Sequence, residues 1–561
     1  MQFTKTLVWV ATLLFLSLWG WSQDRPAETF KNPILSGFHP DPSICRVGDD
    51  YFLVNSSFEW FPGIPIFHSK DLVNWEQIGY VLDRPSQLMM ETTKFSAGIW
   101  APTIRYHNGK FYVVVTCKQS KNDCNCGNNF YVTADTPAGP WSEPVWIKDS
   151  KGIDPTIFWD EDGKVYYVGS THDYEGAPKW KQEHRIYLQE LKLETGELLG
   201  EPIYLTSGHA AEAKFTEGPH IYKIKDKYLL MVAEGGTWNN HAVTAFEADK
   251  ITGPYTALTV NPVLTHRHLG HDSGITTIGH ADLVQTQNGD WWSVMLGVRP
   301  MDGKNYYLGR ETFLTPVKFE GITPIFNPGY GRVLMADKRP DLPWTPFPEK
   351  PVRDDFITDK LGVDWSFLRT PQSEWYHLEK GKLTLQLRPE TTKDVANPSL
   401  IARRLEHHQF EVFTQLTFKP KKSNEVAGLV AMQNQNFQYR LELGMENKKD
   451  RYIALYKVFS ENRKEQVEKL VAKVPYGDES VVLGMHTNKM DVQFTYGPSK
   501  EKQTPIGSVQ SMDALCSNHS GGFIGAFVGM YASSQGQESK HEAIFDWFDY
   551  TPLTGKMEEV E

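Results

Sequence analysis

Cysteine is scarce. The chain has five in 561 residues, an odd number, and this excludes a fold held mainly by disulfide staples. Cys124 and Cys126 lie one residue apart with Cys117 nearby. No CxxC and no second pair accompanies them, so the spacing argues against a zinc knuckle and leaves a local disulfide open. Basic charge is also lacking: the formal net charge is −11, which argues against nucleic acid as a partner, because phosphate binding needs a basic surface. Long apolar runs are absent after the N-terminus, so the mature chain inserts in no membrane. The one early run, Leu7 to Trp21, follows a single charged side chain, Lys5. It is short for a span and ends near the small residues Gly20 and Ser22. Residues 1–22 therefore read as a signal peptide, with an uncleaved N-terminal anchor as the alternative, implying export to the periplasm or the exterior. No cysteine sits at the cleavage point, which argues against a lipoprotein.

Aromatics are abundant, at 13% of the residues. They suit strand-rich packing, and they also suit stacking against the C–H faces of sugars. Helix-period patterns with caps are few. A repeat takes their place. Five segments open at Asp41, Ala101, Asp154, Glu217 and His280, at spacings of 60, 53, 63 and 63 residues. Each has a small or acidic opening, an apolar alternating stretch, a turn such as Asn108-Gly109 or Asp162-Gly163, and an aromatic or β-branched stretch. The turns are hairpin signals, and the spacing fits four strands per unit. The expectation is an all-β chain: a five-bladed β-propeller over about residues 30–340. A Pro-rich, charged linker follows at 341–352. Short alternating segments such as FEVFTQLTF and GGFIGAFVGMYAS then predict a β-sandwich over 353–555. In a propeller the repeat positions face one axis, so Asp41, Asp154, Glu217 and His280 should converge, with Trp100 beside Ala101. Each acid alone could be a turn residue satisfied by backbone N–H groups. Their recurrence at matching positions points instead to a catalytic constellation.

The segments HPDPSICRVGDDYFLVNSSFEWFPG, GIWAPTIRYHNGKFY, IDPTIFWDEDGKVYYV, EGPHIYK and GHADLV together resemble glycoside hydrolase family 43. The C-terminal region resembles the jelly-roll, concanavalin-A-like sandwich that accompanies its exo-acting members. The resemblance implies single-displacement inversion on arabinose or xylose linkages of an oligo- or polysaccharide. It implies Asp41 as general base, Glu217 as general acid and Asp154 as the group that raises the acid's pKa and orients it. It further implies Arg299 as a sugar-contacting arginine, Trp100 and Phe58 as aromatic pocket walls, and His280 as an axial histidine. Trp60 and Trp238 fit either a wall or ordinary packing. The chemistry requires no metal or other cofactor, and the resemblance allows a structural Ca²⁺ beside His280. Release of terminal α-L-arabinofuranosyl units is the preferred activity, with β-D-xylosidase the alternative. An endo-arabinanase and a non-catalytic glycan-binding propeller rank below both. The oligomeric state is not read from the residues.

Overall fold

A computed structural model describes residues 28–118 and 128–553. The expected signal peptide lies outside these residues, as do Cys124 and Cys126. Cys117 is disulfide-bonded, whereas Cys45 and Cys516 are buried free thiols.

Five four-stranded antiparallel blades follow one another along the chain. Blade I runs from Ser43–Val47 to Glu76–Leu82, and blade II from Gly98–His107 to Val145–Trp146. Blade III runs from Ile153–Trp159 to Glu197–Thr206. Blade IV starts at Glu217–Ile224 and ends at Thr256–Ala257, with Leu264–Thr265 added on its third strand. Blade V runs from Thr276–Gln285 to Thr323–Phe326. Local sequence explains the hairpins. Asn108 (φ 48°) and Gly109 (φ 82°) both take the left-handed backbone, which a two-residue turn of matching twist demands.

The repeat is written into the backbone at the start of each innermost strand. Asp41, Ala101, Asp154, Gly218 and His280 all have positive φ, between 43° and 56°. The first four precede a proline, and Ala281 follows His280. The strand pairing skips a step at this point in blades II to V. A left-handed non-glycine residue ahead of proline is a strained arrangement. It turns the chain where it enters the axis and re-aims the side chains there. Blade IV departs from the expected register: Gly218 holds the left-handed position, and Glu217 stands one residue before it.

Two features close the ring. Thr29–Lys31 pairs with Ala336–Lys338, and the Asn32 side chain donates to the carbonyls of Leu314 and Leu334, so the N-terminal segment straps blade V. Deeper on the axis, Asp282 of blade V accepts from Arg105 of blade II (2.8 Å), Ser43 of blade I (2.7 Å) and Tyr222 of blade IV (2.6 Å). The Asp282 carboxylate is fully buried. Such a charge persists only with this degree of pairing, and the Arg105 guanidinium outweighs burial to hold its pKa far down.

The C-terminal region forms two large antiparallel sheets, one of nine strands and one of eight. The eighth strand belongs to blade I. Trp60–Phe61, in the loop after its second strand, pairs with Ser366–Leu368 at the edge of the sandwich. The Trp60 ring stacks on Phe527 at a centroid distance of 3.6 Å. Trp60 is therefore a packing residue at the domain junction. A single apolar core runs from Val54, Leu82 and Ile99 of the propeller into Leu385, Leu483 and Phe545 of the sandwich.

Candidate active site

The blade openings meet in a cavity of about 280 Å³. Asp41, Asp154, Glu217 and His280 all line it, together with Trp100 and Phe58. With Ala101 and Trp238, eight of the residues singled out in the sequence thus share one space. Asp41 and Asp154 are buried (5% and 8% exposed), while the Glu217 side chain keeps 23% of its surface open.

Each carboxyl has a different environment. Arg310 Nη1 donates to Asp41 Oδ1 at 2.6 Å, and the Ser56 hydroxyl donates to Oδ2 at 2.7 Å. Ser56 Oγ in turn accepts from the Ala101 N–H, which links blade I to blade II. Burial acts to raise the Asp41 pKa, but Arg310, His280 and Ser56 outweigh it and hold the carboxyl below its usual range. Among the described residues Asp154 forms no ion pair. Its Oδ2 accepts from the Gly218 N–H at 3.1 Å, and burial pushes its pKa up, with Asp41 adding to the rise and His280 opposing it. The Glu217 pKa is raised furthest, first by loss of water and then by the charges of Asp154 and Asp41. The two shifts run in opposite directions, so Asp41 ionises first and Glu217 holds its proton to higher pH than a free carboxyl. Pairs of carboxyls driven apart in this way mark acid and base roles.

The aromatic walls come from both domains. Phe58 packs against Trp100 (5.9 Å) and Phe523 (6.1 Å). Phe523 belongs to the sandwich, its N–H accepted by Ser96 Oγ of the propeller at 2.7 Å. The Arg310 guanidinium lies over both phenylalanine rings. Trp238, 52% exposed, forms part of the lip beside Phe215.

One expectation needs correction. Arg299 does not line the cavity; its guanidinium is held by both oxygens of Glu311 at 2.7 Å and by Ser36. The arginine in the cavity is Arg310, eleven residues on. It lies outside every blade opening, so the repeat gave no sign of it. Phe523 was missed for a related reason: nothing in sequence spacing connects it with Asp41. His241 and His184 were also missed. Burial pulls each down to about 4, which keeps both neutral. His184 Nδ1 lies 3.3 Å from Glu217 Oε1, beside the acid rather than on a blade opening.

Residues 30–323 match Glycosyl hydrolases family 43, and residues 353–551 match the Beta xylosidase C-terminal Concanavalin A-like domain. The chain belongs to glycosyl hydrolase family 43. It is 39% identical to a xylosidase/arabinosidase of Butyrivibrio fibrisolvens, over 92% of this chain and 98% of that enzyme. It is 38% identical to the non-reducing end alpha-L-arabinofuranosidase BoGH43B of Bacteroides ovatus, over 96% and 98% respectively. The crystal structure of a xylan beta-1,4-xylosidase from Bacillus halodurans superposes with a TM-score of 0.86 at 34% identity, covering 93% of this chain and all of the other. Family 43 membership makes the chain a glycosidase with a carbohydrate substrate.

Proposed function

We propose that the protein is an inverting exo-glycosidase that removes terminal α-L-arabinofuranosyl units from plant hemicellulose. The observation that carries this reading is the convergence of Asp41, Asp154 and Glu217 on one cavity, with Arg310 bound to Asp41 and no such cation on Glu217 among the described residues. Asp41 takes a proton from water. The resulting hydroxyl attacks the anomeric carbon on the face opposite the leaving oxygen. The glycosidic C–O bond breaks as Glu217 gives its proton to that oxygen. Asp154 keeps the proton on Glu217 until then. Inversion needs room for the water, which calls for a carboxyl separation of roughly 6.5–9.5 Å.

The sandwich favours exo action, because Phe523 walls one side of the cavity and an open cleft for mid-chain binding has no such wall. The xylosidase/arabinosidase named above favours a second reading, in which β-D-xylosides are cleaved in the same pocket. No metal takes part in the proposed steps. A Ca²⁺ would want six to eight oxygens. The Asp41 carboxylate is committed to Arg310 and Ser56, and among the described residues no group of three or more His, Cys, Asp or Glu side chains could hold an ion. Export through residues 1–22 belongs to the same proposal.

The test is a comparison of kcat/KM on aryl α-L-arabinofuranoside and aryl β-D-xyloside, with proton NMR of the first sugar released. Inverted product with a preference for the arabinofuranoside supports the reading. Retention of configuration overturns the mechanism, and a strong preference for the xyloside overturns the sugar assignment.

A further inference from the structure

A second cavity, of about 510 Å³, lies beside the catalytic one. The two share walls. Trp238, Thr237, Phe523 and Arg310 line both the catalytic cavity and a narrow slit next to it. Trp238 and Tyr306 line both that slit and the second cavity. One exposed indole thus forms a wall of all three spaces.

The second cavity differs from the first in chemistry. It presents Asn239, Asp272, Asp302, Lys304, Tyr306 and, from the sandwich, Asn518. Amides, carboxylates, an ammonium and a phenol suit the alternating donors and acceptors of sugar hydroxyls. Two polar atoms of these walls are buried without a partner among the described residues: Thr237 Oγ1 and Asn518 Oδ1. Buried polar atoms of this kind are normally satisfied, so each offers a hydrogen bond to a bound molecule. The other half of the Asn518 amide is already fixed on Asn305 Oδ1 at 2.9 Å, which sets the direction of the free oxygen. Asn239 and His271 hold one another at 3.1 Å, so the cavity wall is organised in advance.

We infer that this second cavity binds the saccharide chain that carries the scissile unit, two or more sugars beyond the cleaved bond, with Trp238 as the stacking platform between the two cavities. The ligand class is a neutral hemicellulose oligosaccharide. This rests on the glycosidase reading above and deepens it: specificity for the polymer would reside at the boundary between blades IV and V and the sandwich, away from the three carboxylates.

The experiment uses Asn239→Ala/Asp272→Ala in the full chain, since neither residue lines the catalytic cavity. Fragments of arabinoxylan, arabinan and xyloglucan with at least four sugars are screened on the wild type, and the best substrate is retained. The double variant should lose at least tenfold in kcat/KM on that fragment and stay within twofold on an aryl glycoside. In a Glu217→Gln background, calorimetry should show the same tenfold weakening for the fragment and none for the free monosaccharide. Equal losses on both substrates, or no loss on either, would overturn the inference. So would a changed oligomeric mass with unchanged fragment affinity, which would assign the cavity to a second copy of the chain. A wild type inactive on every glycoside would instead sink the glycosidase reading itself.

Discussion

The Gly218 N–H donates to Asp154 Oδ2 across 3.1 Å, so the blade III carboxylate is tied to the residue that follows Glu217. In the proposed mechanism Asp154 would act on Glu217 in two ways, through the backbone that aims it and through the negative charge that raises its pKa. Asp154→Asn separates these effects, since the amide oxygen still accepts the hydrogen bond while the charge is gone. Loss of a nearby negative charge lowers the Glu217 pKa. The alkaline limb of the kcat/KM profile should move to lower pH, with kcat down about a hundredfold, within the range for acid–base assistance, and KM little changed. An unmoved alkaline limb would count against the role.

Arg310 has the opposite effect on Asp41. In Arg310→Met the burial that favours the neutral carboxyl is no longer outweighed. The Asp41 pKa rises, and the acid limb of the profile moves up in pH. Activity should fall by roughly a hundredfold near pH 5, about 2.7 kcal/mol at 1.36 kcal/mol per decade, and by less at pH 8. A loss of the same size at all pH values would mean that Arg310 only binds sugar.

Much of this site could be read from the repeat, and the exceptions have physical causes. Asp41 and Asp154 stand out because a left-handed residue before proline recurs at four of the five blade openings, and the motif leaves a trace in the one-letter code. Glu217 was found on the same pattern although its register is offset by one, since glycine takes the strained position in blade IV. Arg310 and Phe523 carry no such trace. One lies past the second strand of blade V and the other in the sandwich, and only tertiary packing brings them to the cavity. Arg299 was implied by the family resemblance alone, and nothing in the sequence reveals its partner Glu311.

Phe523 offers a direct reading of the sandwich's part in binding. Phe523→Ala removes one wall of the pocket without touching a carboxyl. KM should rise about tenfold, of the order of an aromatic contact, with kcat within threefold. A change confined to kcat would argue that the ring orders Arg310 instead.

The Arg105–Asp282 pair makes a prediction about stability rather than activity. Removing one partner leaves a buried charge uncompensated, so Arg105→Met should cost about 3–5 kcal/mol in a denaturant titration. Arg105→Met with Asp282→Leu should recover part of that loss, because both charges are then absent. A double variant no better than the single would show that the ring depends on the charges themselves.

The strand Trp60–Phe61 has a consequence for how this protein could be inherited or dissected. In sequence the two regions look like separate cassettes joined by a tether, available for shuffling. In space, a piece of the first is woven into the second. A cut between residues 341 and 352 would sever the tether without separating the halves. Neither half alone would be whole, for one would lose the cover over Trp60 and the other its outermost strand. Recombination at that tether would succeed only between chains that already share this seam.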